Sequence, residues 1–208
     1  MSKTAKTPKS QLTEEKILDA ARKIFVQQGM MGARMQDIAD EAGINKALLH
    51  YYFKNKEQLF EMIFKQASIR LFPRINQIFN SDDPLFVKIE SFCAEYIDVV
   101  MENPYLPLFV LNEIHRDTEL FIQKIWGESN RPNPLKLLMQ IEEEVQKGTI
   151  RRVNPMHLLM NMISMTMFPF VARPMLQANL GMDDWTFRMM MEQRKKEIPD
   201  FIIRSIKL

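Results

Sequence analysis

Glu113, His115 and Arg116 lie close together in the chain, and Glu142, Glu143 and Glu144 run consecutively. These polar clusters invite a catalytic or metal-binding reading. Neither has the required spacing, such as two histidines four apart beside a glutamate, which would bring both rings to one helix face. The phosphate loop, nucleophile elbow and dinucleotide glycine pattern are missing as well. The glutamate run therefore reads as a solvated helix face, and no catalytic residue, metal ion or cofactor is expected. Cys93 is the single cysteine and cannot form an intramolecular disulfide. At helical spacing among apolar neighbours it reads as a small buried hydrophobe in a reducing compartment.

A different chemistry, hydrogen bonding to phosphate, finds support in the charge distribution. The whole chain carries 28 Lys and Arg against 26 Asp and Glu, a net of +2, which argues against a simple polycation. Residues 1–56 hold ten basic and six acidic residues, whereas 57–208 hold 18 and 20, so the positive field belongs to the N-terminal quarter. Lys3, Lys6 and Lys9 stand in residues 1–12, which contain no acid; this segment is predicted to be a disordered basic tail. It lacks the apolar stretch of a secretory signal. With no apolar run of about 18 residues in the chain, a soluble cytoplasmic protein with no membrane partner is expected.

The elements that must position such contacts are helices. Leu12 and Ile17 have the spacing of a hydrophobic staple, Thr13 is a good cap, and Ile17, Leu18, Ala21, Ile24 and Phe25 form one apolar stripe. Gly29 ends this helix. A short helix about Gln36 to Ala42 follows, Gly43 supplies a left-handed turn, and Asn45 caps a third helix through Tyr51. Asn55, with Gln58 three residues on, opens a long fourth helix. Two helices of about seven residues joined by a glycine turn, following a longer one, form a helix-turn-helix.

The stretches Ile38-Ala39-Asp40-Glu41-Ala42-Gly43-Ile44 and Leu49-His50-Tyr51-Tyr52-Phe53-Lys54-Asn55-Lys56-Glu57-Gln58-Leu59 resemble the signature of TetR/AcrR-family bacterial transcriptional regulators. Lys147-Gly148-Thr149-Ile150-Arg151 with Asn154-Pro155 resembles that family's turn between its seventh and eighth helices. In a helix-turn-helix the second helix enters the major groove, its N-terminal residues on base edges. That face holds Asn45, Lys46, Ala47, Leu48 and His50. Lys46 can donate to guanine O6 and N7, Ala47 and Leu48 can cover a thymine methyl, and His50 can reach an edge or a phosphate. Leu48 can instead be core; Leu49 and Phe53 are assigned to the core. The resemblance implies phosphate contacts for Tyr51, Tyr52 and Lys56, with a packed aromatic as the alternative for Tyr52. The family usually opens its second helix with threonine or serine, whereas Arg34 and Met35 stand here, so that cap is missing and Arg34 or Gln36 takes over the phosphate contact.

Beyond Lys56 the fourth helix runs toward Phe79, and Pro73 within it predicts either a kink or a break. Further helices are read from Asp83-Pro84 to Asn103-Pro104, from Pro107 to Trp126, from Arg131-Pro132-Asn133-Pro134 to Gly148, from Asn154 to Ala172 and from Asp183 to Ser205. Ten of the 17 methionines lie beyond residue 153, which reads as an adaptable seam or a soft core. The resemblance favours the seam: a homodimer through the last two helices, suited to a palindromic double-stranded operator. It also implies an effector pocket in the helical body. Candidate pocket residues are Phe64, Cys93, Tyr96, Phe109, Glu113, His115, Arg116, Trp126 and Met139; Glu113, His115 and Arg116 are read either as pocket polar groups or as exposed side chains.

The reading is an all-α protein of about nine helices. It comprises a tail at 1–12, a three-helix DNA-binding head at 13–58 and a ligand-binding and dimerisation body at 59–208. The function expected is a regulator, most simply a repressor, that releases DNA when a small, largely apolar effector binds. A ligand-blind regulator with a filled core and a helical protein-binding module are the alternatives.

Overall fold

The computed structural model describes residues 8–104, 106–116, 118–123 and 132–208. They fold into α1 (Pro8–Gly32), α2 (Met35–Glu41), α3 (Lys46–Tyr52), α4 (Lys56–Asn80), α5 (Leu85–Glu102), α6 (Leu106–Arg116), α7 (Thr118–Phe121), α8 (Leu135–Lys147), α9 (Pro155–Val171), α10 (Arg173–Leu180) and α11 (Asp184–Ile206). The β structure among the described residues is one isolated bridge, Ile150 to Lys207. The all-α class is as expected. The chain divides into two compact units, Met1–Ala67 and Ser68–Leu208. The division falls within α4, later than the expected boundary at 58.

In the first unit Ile17, Leu18, Ala21, Ile24 and Phe25 are all buried, as one helical stripe must be. They join Ile38, Leu49, Phe53, Leu59 and Phe60, with the Phe25 and Phe60 rings edge to face at 5.2 Å. Burying each large side chain contributes about 1.5–3 kcal/mol. The start of α1 departs from expectation. Proline suits a first helical position, where its missing N–H costs nothing, and the helix begins at Pro8. Residues 8–12 are thus helical, not part of a disordered tail, and Leu12 is 67% exposed rather than stapled to Ile17. Gly29 breaks the helix at φ 69° and ψ 169°.

In the second unit α5 is the central helix and packs against α8, α9 and α11. Ile89, Phe92, Cys93, Ile97 and Val100 of α5 are buried, as are Leu137 and Ile141 of α8, Met162 of α9, and Phe187, Met191 and Ile198 of α11. Pro73, Pro169 and Pro199 lie inside helices without ending them. Pro73 leaves the Ile69 carbonyl without its helical donor, and both residues face outward, where solvent supplies a donor. Pro169 does the same to the Met165 carbonyl, which instead accepts from Arg194 Nη2 at 2.9 Å. Pro174 lies in the first turn of α10, where a missing N–H costs nothing. The segment expected as one helix from Pro107 to Trp126 contains α6 and α7.

Candidate nucleic-acid interface

The turn between α2 and α3 is fixed by backbone geometry. Gly43 has φ 61°, its N–H donates to the Asp40 carbonyl and the Ile44 N–H to the Ala39 carbonyl, both at 3.0 Å. This double bond pattern closes a helix and needs a left-handed residue at that point. Asn45 then caps α3 by accepting from the Leu48 N–H at 2.8 Å. Behind it Asn55 accepts from the Gln58 N–H at 2.9 Å while the Gln58 side chain accepts from the Lys54 N–H at 3.0 Å, which opens α4. Arg34 precedes α2 with no side-chain cap, as expected from the missing threonine or serine.

These caps set which face of α3 is presented. Leu49 is 0% exposed and Phe53 is buried beneath it, while Lys46, Ala47, His50 and Tyr51 are exposed, Tyr51 by 82%. Leu48, at 37%, belongs to the exposed row rather than to the core. His50 Nδ1 lies 3.2 Å from the Lys54 carbonyl. Tyr52 is half-buried, packs edge to face on Tyr51 at 5.4 Å and donates its hydroxyl proton to Ser10 Oγ at 3.2 Å, so it also ties the start of α1 to the end of α3. Gln36 and Arg34 are exposed, Gln36 donating to Asp40 Oδ1 at 2.8 Å. Lys56 Nζ donates to the Met31 and Ala33 carbonyls at 3.2 and 3.3 Å and so fastens the turn before α2, a structural duty that the sequence did not reveal.

This arrangement is a helix-turn-helix with one polar face. Residues 17–63 match the family model described as bacterial regulatory proteins, tetR family. The transcriptional repressor KstR2 of Mycolicibacterium smegmatis is 33% identical over 138 residues, covering 66% of this chain and 67% of KstR2. The chain belongs to the tetR family. The family is one of bacterial regulatory proteins, and the relatives named here are described as transcriptional regulators. The transcriptional regulator RutR of Escherichia coli is 28% identical over 149 residues; the chain spans 66% of RutR's length, just under two thirds. The fold matches PfmR of Thermus thermophilus, a TetR-family regulator, with TM-score 0.62 at 20% identity, covering 90% of this chain and 97% of PfmR. It also matches an HlyIIR mutant with TM-score 0.60 at 21% identity, covering 95% and 98%.

The expected tetR-type effector residues are divided between the two units. Phe64 is buried in the first unit, whereas Cys93 and Tyr96 lie on α5 of the second. Burial pushes the Cys93 thiol up to about 12 and raises the Tyr96 phenol, so both are neutral. Two residues do not line an interior. His115 is exposed, its Nδ1 2.7 Å from the Leu111 carbonyl of its own helix, and Met139 is 57% exposed because it lies opposite the buried Leu137 and Ile141 stripe. Trp126 and the side chains of Phe109, Glu113 and Arg116 fall outside the described residues. Sequence reading missed two cations. Lys88, 1% exposed, donates to the Phe79 carbonyl at 3.2 Å, and burial lowers its pKa. Arg194 is half-buried on α11. Each stands in an otherwise apolar helical stripe, and that was the available signal.

Among the described residues no single helix is long and apolar enough to cross a membrane, although α9 and α10 together, bent by 65°, pass on length and composition. Among the described residues no cluster of three metal-ligating side chains occurs.

Proposed function

We propose that this chain is a cytoplasmic, ligand-responsive repressor that binds a palindromic operator as a homodimer. The observation that carries the reading is the exposed row Lys46, Ala47, Leu48, His50 and Tyr51 standing on buried Leu49. A helix reads the major groove from one face, and here Lys46 meets guanine, Ala47 and Leu48 meet thymine methyls, and Tyr51 and Lys56 hold phosphate. Arg34 or Gln36 supplies the phosphate contact at the uncapped start of α2.

The second copy covers apolar surface on the last long helices. Met156, Met160 and Ile163 recur at helical spacing on α9 and are exposed, as are Trp185 and Met189 on α11. Twofold pairing sets two α3 helices about 34–36 Å apart, one turn of DNA. An effector that favours a different setting of α4 lowers operator affinity; a coupling of about 1–3 kcal/mol gives roughly 5- to 150-fold release.

Selection of full-length protein on a random pool of DNA duplexes tests this. An enriched inverted repeat is expected; a single half-site, or no enrichment, overturns it. Sedimentation should give a dimer that Met160→Glu dissociates. Removing α11 would not be a fair test, since Phe187, Met191 and Ile198 belong to the core.

A further inference from the structure

Arg194 lies on α11 between Met191 and Ile198, both buried, and close enough to buried Cys93 for its charge to act on the thiol. Pro169 has freed the Met165 carbonyl, and Arg194 Nη2 donates to it at 2.9 Å, which fixes the guanidinium in place. Its Nε is buried, and no oxygen accepts from it. Among the described residues no carboxylate pairs with this cation. The adjacent Lys195, by contrast, reaches both Asp98 and Glu192. Carboxylates are therefore available on this side of α11 and are spent on its neighbour.

A cation held in apolar surroundings without a counter-charge is costly, and a hydrogen bond from an ionised donor to a carboxylate is among the stronger ones. We propose that Arg194 is the recognition group for the effector, and that the effector is an organic acid with one carboxylate on an apolar body. The apolar part lies along α5 and α11, and the carboxylate accepts from the Nε–H, the donor that no protein group uses, while Nη2 stays on the Met165 carbonyl. Because Nε is buried, the carboxylate reaches it only after local opening. The bond is thus made in the bound state alone, as a ligand that shifts a conformational equilibrium requires. This inference rests on the ligand-responsive reading above.

The test is melting of the full-length protein with hexanoate, decanoate and phenylacetate, each beside its corresponding alcohol, and with acetate and inorganic phosphate. The longer acids should raise the melting temperature more than their alcohols and more than acetate or phosphate. Arg194→Met should lose roughly 10- to 150-fold in affinity for the acids, as expected for a hydrogen bond to a charged group, and Arg194→Lys should recover only part. Equal stabilisation by acids and alcohols overturns the proposal. So do an unchanged response in Arg194→Met, a response to phosphate or acetate equal to that of the longer acids, and no response to any acid. Dissociation of Arg194→Met into monomers also overturns it, because the missing counter-charge then comes from the second copy. Operator selection is run without acid, so failure of the regulator reading is seen separately.

Discussion

In the first unit each turn is closed by groups that find one another: Gly43 with Asp40, Asn45 with Leu48, Asn55 with Gln58, and Lys56 with the Met31 and Ala33 carbonyls. The second unit differs. Among the described residues, the buried side-chain atoms without a hydrogen-bond partner, Asn103 Oδ1, Gln140 Oε1 and Arg194 Nε, all lie in it, and Lys88 is buried there on a single carbonyl. A surface that reads a fixed duplex gains from having one shape, so satisfied local bonds suit it. In the ligand-responsive repressor proposed above, a body that answers a ligand would keep such polar capacity in reserve.

The comparison can be broken most directly at Leu49. Leu49→Ala removes the support beneath the exposed row and should cost about 2–5 kcal/mol by urea unfolding, with operator binding lost at moderate temperature. A loss well under 1 kcal/mol would mean that the head is not the tightly specified unit described here.

Next come the two lysines. Lys46→Ala should weaken operator binding by about 1–3 kcal/mol and relax preference at one base pair. Lys56→Ala should weaken all sequences alike, flatten the salt dependence and lower the melting temperature of the free protein, since it also orphans two carbonyls. Equal, sequence-blind losses from both would remove Lys46 from base reading. An unchanged melting temperature for Lys56→Ala would leave its bonds to the turn without weight.

Caps give smaller effects. Asn45→Ala should cost about 1 kcal/mol, and Arg34→Ser should add up to about 1 kcal/mol by supplying the absent cap. If Arg34 also holds phosphate, that same variant binds DNA less tightly while unfolding later, and denaturation beside anisotropy titration separates the two.

The smallest effect is a pH dependence in the second unit. Asp183 caps α11 by accepting from the Thr186 N–H at 2.7 Å, and hydrogen bonds from the Thr186 side chain and backbone together hold its carboxyl below the usual carboxylate range. A lowered folded pKa means that the contribution is present above the unfolded value and is lost as pH falls through the folded one. Wild type should therefore lose stability on acidification faster than Asp183→Asn, which caps without titrating. Parallel acid curves would assign the acid response to other groups.

The head was legible because its signals are local. Gly43, Asn45 and Asn55 act within four residues, and spacing alone marks Leu49 as inward. Tertiary context decided the rest. Leu12 looked like a staple only if α1 began at Thr13, and Pro73 could end or merely strain α4, which depends on what faces Ile69. The candidate effector residues were least legible. His115 and Met139 project outward, and the carbonyl that holds the Arg194 guanidinium is released by Pro169 on another helix.

The boundary at Ala67 and Ser68 lies inside the uninterrupted helix α4. Grafting this head onto a relative's body would therefore require splicing in helical phase. One residue added at the junction turns everything beyond it by about 100°, whereas seven come back to within about 20°. Length variation between relatives at this point should accordingly arrive in sevens or elevens, and a protease should find no loop there to cut.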